Sequence, residues 1–168
     1  ITTPKNTAVQ PVIEYRWTDD LKEIPYYRYG DSQQAFFESW DKNQAPFAII
    51  EGSAATFLVP ICDKNNILNS SYGNKKEVYR FKTLDEMLDW YASFVKQYDA
   101  YSGLDYYAKD PWNQDIRAKF FIKANAHGAG QAYYTTDHSA YNGKSLETYL
   151  VRDWLSLHEF GHGYEGAI

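Results

Sequence analysis

The pattern of apolar and polar positions marks out three helical stretches separated by strands and loops. From Asp31 or Ser32 as N-cap, Ala35, Phe36 and Trp40 recur at helical spacing, which predicts a short amphipathic helix ending near Asn43, ahead of Pro46. Phe47 to Ile50 and Ala55 to Val59 are strand-like runs on either side of Gly52 and Ser53, the signature of a hairpin. Thr83 and, three residues later, Glu86 form a capping box, after which Leu84, Met87, Leu88, Tyr91, Phe94, Val95 and Tyr98 trace one apolar face up to Gly103. The run Ala118, Phe120, Phe121, Ile122 and Ala124 predicts a strand, His127 to Gly130 a turn, and Ala132 to Thr135 a second short strand. Ser145 then caps a stretch in which Leu146, Tyr149, Leu150, Trp154, Leu157 and Gly161 keep helical spacing. Residues 61–76 and 105–115 hold neither period and read as loops. Residues 1–30, with Pro4, Pro11, Pro25, Tyr26, Tyr27 and Tyr29, read as an extended leading segment with short strands.

Composition narrows the possibilities. A chain of 168 residues that is 44% apolar and 23% charged suits one globular domain. Seventeen Lys and Arg against 22 Asp and Glu give a net charge of -5, which lacks the positive footprint a nucleic-acid partner requires. No apolar run approaches the ~18 to 20 residues of a membrane span. The chain starts at Ile1 and its only Met is Met87, so the expectation is that the natural start has been removed, together with any export signal. The single cysteine, Cys62, excludes an intrachain disulfide; following Phe57, Leu58 and Val59, it is expected to be a buried, inert thiol. The triplet Asn69-Ser70-Ser71 is a glycosylation acceptor only in a eukaryotic secretory setting.

The chemistry concentrates in His158-Glu159-Phe160-Gly161-His162, a His-Glu-x-x-His pattern. On a helix, residues four apart share a face at a separation of ~6 Å, so both imidazoles turn toward one Zn2+, a metal that takes nitrogen and oxygen ligands tetrahedrally. Glu159, one step round, reaches the position of a water and suits general base and acid work. Trp154 and Leu157 are expected to supply the buried face that holds the ligands. Gly161 and Gly163 each cost about 1 kcal/mol in a helix relative to Ala, which a purely structural helix has little reason to carry. A metzincin has Gly where this chain has Glu165 and His where it has Ile168, so that class is excluded. Glu165 shares the face of the two histidines, but a straight helix carries it ~10 Å along the axis from His158; it serves as third ligand only if the helix breaks at Gly163.

The string His158 to Tyr164, with Trp154 upstream, resembles the active-site helix of the enhancin-like zinc metallopeptidases, a gluzincin group containing insect-virus enhancins and bacterial mucin-degrading enzymes. Residues 46–52 and 57–60 are similar to that family's strand pair, and Leu84 to Gly103 to its following helix. The resemblance implies His158 and His162 as zinc ligands, Glu159 as general base and acid, and a third ligand glutamate downstream, here beyond Ile168. It also implies a mucin-like glycoprotein substrate and a secreted or extracellular location. His127 to Thr135 occupies the place of the edge strand that pairs with substrate backbone in such peptidases. Tyr133, Tyr134, His127 and His138 are therefore candidates for substrate contacts, beside the plainer reading of strand-end aromatics and exposed loop histidines.

The fold expected is α+β, a zincin-like upper subdomain in which a twisted, mainly antiparallel sheet is flanked by helices and the last helix bears the ligands beneath the sheet edge. Residues 31–168 are expected to be the N-terminal part of a catalytic domain whose remainder, the other wall of the cleft, is a partner within the same enzyme. Three functions follow: a zinc endopeptidase of mucin-like glycoproteins, a glycoprotein-binding or structural fragment with an incomplete site, or a gluzincin of aminopeptidase or thermolysin type.

Overall fold

The computed structural model describes residues 14, 21–69, 76–114, 119–128, 130–135 and 138–165. Most of the leading segment, Ala118, Ala129 and the Ser70-Ser71 part of the acceptor triplet lie outside the described residues.

Among the described residues six strands form one sheet in the order β1-β2-β3-β4-β6-β5, with β1 at Tyr26–Arg28, β2 at Phe47–Glu51, β3 at Ala55–Pro60, β4 at Phe120–Asn125, β5 at Ala132–Tyr134 and β6 at Ser139–Asn142. The two hairpins, β2–β3 and β5–β6, are antiparallel, whereas β1–β2, β3–β4 and β4–β6 pair in parallel. The sheet is thus mixed rather than mainly antiparallel: parallel neighbours need a crossover between them, as the helix Gln33–Asn43 provides between β1 and β2, whereas strands that follow closely in sequence pair antiparallel. Strand β6 was not expected: Ser139-Ala140-Tyr141-Asn142 carries too little apolar alternation to stand out, yet it inserts between β4 and β5. Its insertion places β5 at the sheet edge.

Among the described residues three α-helices accompany the sheet: α1 at Gln33–Asn43, α2 at Leu84–Ser102 and α3 at Trp154–His162. Ser32 and Thr83 act as the expected caps, their hydroxyls accepting from Ala35 N and Glu86 N. α2 ends where Gly103 takes a left-handed φ of 71°, a conformation glycine adopts without steric cost. The expected helix from Ser145 is instead two pieces. A short 3-10 helix at Glu147–Leu150 gives way to extended Val151, which bridges to Arg80, and Asp153 then caps α3 by accepting from Leu155 N at 2.8 Å.

Leu84, Met87, Leu88, Tyr91 and Phe94 of α2 are buried, as their spacing predicts. Phe160 of α3 is the point where both helices and the sheet meet: its ring lies 4.3 Å from Phe120, 5.0 Å from Phe94 and 5.4 Å from Tyr91. Cys62 departs from expectation. The β3 alternation stops at Pro60, and the 3-10 turn of Ile61–Asp63 rotates Cys62 outward while Asp63 turns in, to accept from Ser145 Oγ and Leu146 N. The exposed thiol donates to Lys144 O, and partial desolvation together with Asp63 beside it pushes its pKa up.

Candidate metal and peptide site

α3 is short because its sequence is: Asp153 fixes its start, and beyond His162 the backbone closes i→i+3 turns, Gly163 N to Phe160 O and Tyr164 N to Gly161 O. Its buried face consists of Ser156, Glu159 and Phe160, not Trp154, which is 67% exposed. Trp154 lies instead against the first histidine, its ring stacked on His158 at 4.7 Å and 25°.

The two imidazoles converge. His158 Nε2 and His162 Nε2 stand 3.1 Å apart, with ring planes crossed at 79°. Two nitrogens bound tetrahedrally to one zinc at about 2.0–2.1 Å are themselves roughly 3.3 Å apart, so the observed pair fits that ion to within a few tenths of an ångström. Glu159, between them in sequence, is only 4% exposed. Burial pushes its carboxyl above the usual carboxylate range, against the opposing pull of the two imidazoles. The other side of His162 is occupied by Glu165, whose Oε2 lies 2.8 Å from Nδ1 and raises the pKa of the ring. Among the described residues no group of three His, Cys, Asp or Glu side chains stands together as a metal site.

These side chains form one wall of an open cleft of about 600 Å3; Ala132 to Thr135 of the β5 edge form the other. Edge and helix approach closely because position 163 is glycine: a Cβ there would lie 3.0 Å from Phe120 Cε1 and 3.1 Å from Tyr134 Cζ. Tyr134 packs toward α3, with its ring 6.0 Å from Phe120. The Tyr133 hydroxyl accepts from Asn125 Nδ2 at 2.5 Å and meets His138 Nε2 at 3.1 Å, while His138 Nδ1 reaches Thr135 Oγ1 at 3.3 Å. His138 thus braces the edge strand without lining the cleft, and His127 is exposed on the turn after β4, also outside the lining. The stacking partner Trp154, the brace Asn125 and the placement of Glu165 on the far nitrogen of His162 escape a reading based on spacing. The i,i+4 and i,i+3 separations of Trp154 and Glu165 from the two histidines were the only signals available.

A mixed sheet lying over a helix that carries His-Glu-x-x-His beside an antiparallel edge strand defines a zincin-like α+β subdomain. The family profile of Peptidase M60, enhancin and enhancin-like, matches residues 22–167, and the chain belongs to that family. It is 24% identical over 151 residues to the viral-enhancing factor of Trichoplusia ni granulosis virus, a match that covers 84% of this chain and 15% of the relative. Solved structures share the fold. A functionally unknown conserved protein from Bacillus anthracis superposes with a TM-score of 0.65 at 15% identity, over 84% of this chain and 28% of that one. The M60 catalytic domain of ZmpC from Clostridium perfringens, determined in complex with the sialyl T antigen, does so with a TM-score of 0.64 at 14% identity, over 86% and 29%. The chain therefore spans less than a third of the length of each of these proteins.

Proposed function

We propose that this chain carries the zinc-binding helix of a secreted endopeptidase that hydrolyses mucin-like, O-glycosylated proteins. The observation that carries the reading is the convergence of His158 Nε2 and His162 Nε2 at 3.1 Å, beside a buried Glu159, on a cleft whose opposite wall is a sheet edge. His158 and His162 hold the metal, and a glutamate downstream of Ile168 completes its ligands, as in the family resembled. When bound, Zn2+ supplies Lewis acidity, polarising the scissile carbonyl and making water nucleophilic near neutral pH. The chain's own groups do the rest. Glu159, which lines the cleft beside the two imidazoles, takes the proton from the attacking water and delivers it to the leaving amine. The outer edge of β5 offers backbone groups to an extended peptide, aligning it along the cleft. Support for the substrate class comes from family membership and from the glycan held by the ZmpC domain. Among the described residues no helix is long and apolar enough to cross a membrane.

The test is zinc stoichiometry by elemental analysis on the chain ending at Ile168 and on a chain extended past it, each beside its His162→Ala variant. One equivalent in the extended chain, lost with His162, is the expected result. Absence of metal from both would leave a glycoprotein-binding or structural role. Given a metal-loaded protein, equal cleavage of one peptide with and without its O-glycan would replace the mucinase reading with a general gluzincin.

A further inference from the structure

The role of Glu165 follows from which nitrogen of His162 it touches. Its Oε2 lies 2.8 Å from Nδ1, on the opposite side of the ring from the Nε2 that faces His158. A carboxylate only accepts hydrogen bonds, so in the neutral ring Nδ1 carries the hydrogen and Nε2 is left with a bare lone pair aimed at the convergence point. The reach is one that helical backbone allows: residues three apart are neighbours on one face, and the i→i+3 turns that follow His162 bring side chains at that separation closer to eclipsed. Tyr164 fixes that path: its hydroxyl donates to Asp99 Oδ1 at 2.8 Å and lies 3.2 Å from Val95 O, and its ring stacks on Tyr98 at 5.0 Å.

Resting on the zinc-peptidase reading above, we infer that Glu165 is a positioning residue: it fixes the tautomer and orientation of His162 for the metal and is not itself a ligand. Carboxylates hydrogen-bonded to the outer nitrogen of a ligating histidine do this in zinc sites generally, and their loss weakens metal binding about 10–100-fold. The Glu165 side chain is 69% exposed, so the pair contributes little to folding and its effect falls on the ring it holds. His158 is steadied differently, by the stacked face of Trp154.

The experiment compares the chain with its Glu165→Ala, Glu165→Gln and His162→Ala variants, extending the chain past Ile168 if the shorter one does not load. Three properties are read: Zn2+ affinity by competition with a chromophoric chelator, the visible absorption of the Co2+ form, and the His162 tautomer of the metal-free chain by long-range proton–nitrogen NMR in mildly alkaline solution. Glu165→Ala is expected to weaken zinc about 10–100-fold, to leave the Co2+ band pattern in place, and to remove the preference for the Nδ1–H tautomer. Glu165→Gln, whose amide oxygen still accepts, is expected to keep the tautomer and recover part of the affinity. An unchanged tautomer in Glu165→Ala overturns the proposal. So does zinc loss as complete as in His162→Ala with altered Co2+ bands, which would make Glu165 a ligand. If no zinc depends on His162 at all, the peptidase reading fails, and the tautomer measurement then decides the role of Glu165 by itself.

Discussion

Two neighbouring glycines near the metal pair obey different constraints. At Gly161 an added Cβ would meet Tyr98 Oη at 3.4 Å, an ordinary contact, whereas at Gly163 it would press on Phe120 and Tyr134 at 3.0 and 3.1 Å. Gly161→Ala should therefore leave stability unchanged or raise it, by up to about 1 kcal/mol from helix propensity. Gly163→Ala should lower it by about 1–3 kcal/mol through overpacking, as measured by denaturant unfolding. Of the two glycines, only Gly163 is thus required by a close approach of neighbouring side chains. At Glu159, the Glu159→Gln change removes the proton acceptor but neither imidazole. Zinc content should stay the same while peptidase turnover falls about 10²–10⁴-fold; metal loss in parallel with activity would show that Glu159 supports the site rather than acting in it.

At the scale of elements, the start of α2 is the best-defined signal and its chemistry is testable. Glu86 accepts from Lys82 N at 2.5 Å and pairs with Arg152 Nη2 at 2.6 Å, and these bonds, the backbone one foremost, hold its carboxyl below the usual range. A depressed carboxylate stabilises the fold above its unfolded pKa of about 4.3, and that contribution fades as pH falls through the folded value. Glu86→Gln should therefore lower the melting temperature at neutral pH and converge with the parent in strong acid; parallel curves across that range would dismiss the linkage. Capping chemistry is local, which is why Ser32 and Thr83 were legible in the sequence. The last helix was only partly legible. Helical spacing runs on through Val151, but Val151 pairs with Arg80, far away in sequence, and no local periodicity reports such a bridge. β6 was missed for a related reason: Ser139 is buried with its hydroxyl 2.6 Å from Tyr149 Oη, so a polar residue fills a core position through a distant partner. The pattern at 158–162 needed no long-range information, since one turn of helix assembles it.

Across the whole molecule, the site depends on how α3 is seated. Phe160 is fully buried between α2 and β4 while its sequence neighbours Glu159 and His162 face the cleft. Phe160→Ala is expected to cost about 3–5 kcal/mol and to weaken zinc binding without touching a ligand. Full zinc affinity in a destabilised Phe160→Ala protein would mean that the helix holds the pair independently of its packing. Tyr98 and Tyr164 add polar anchors to the same seat, donating to Leu157 O at 3.0 Å and Asp99 Oδ1 at 2.8 Å. The short length of α3 has one more effect. Its nine residues end at His162, so that imidazole sits in the final turn, where aligned peptide dipoles leave roughly half a negative charge, with His158 one turn before it. A cation approaching the cleft meets this field before it forms any bond, and the preference for positive charge is written into the backbone as well as the side chains. Extending the helix beyond Gly163 would carry that negative pole past the histidines and leave the same side chains in a more neutral setting.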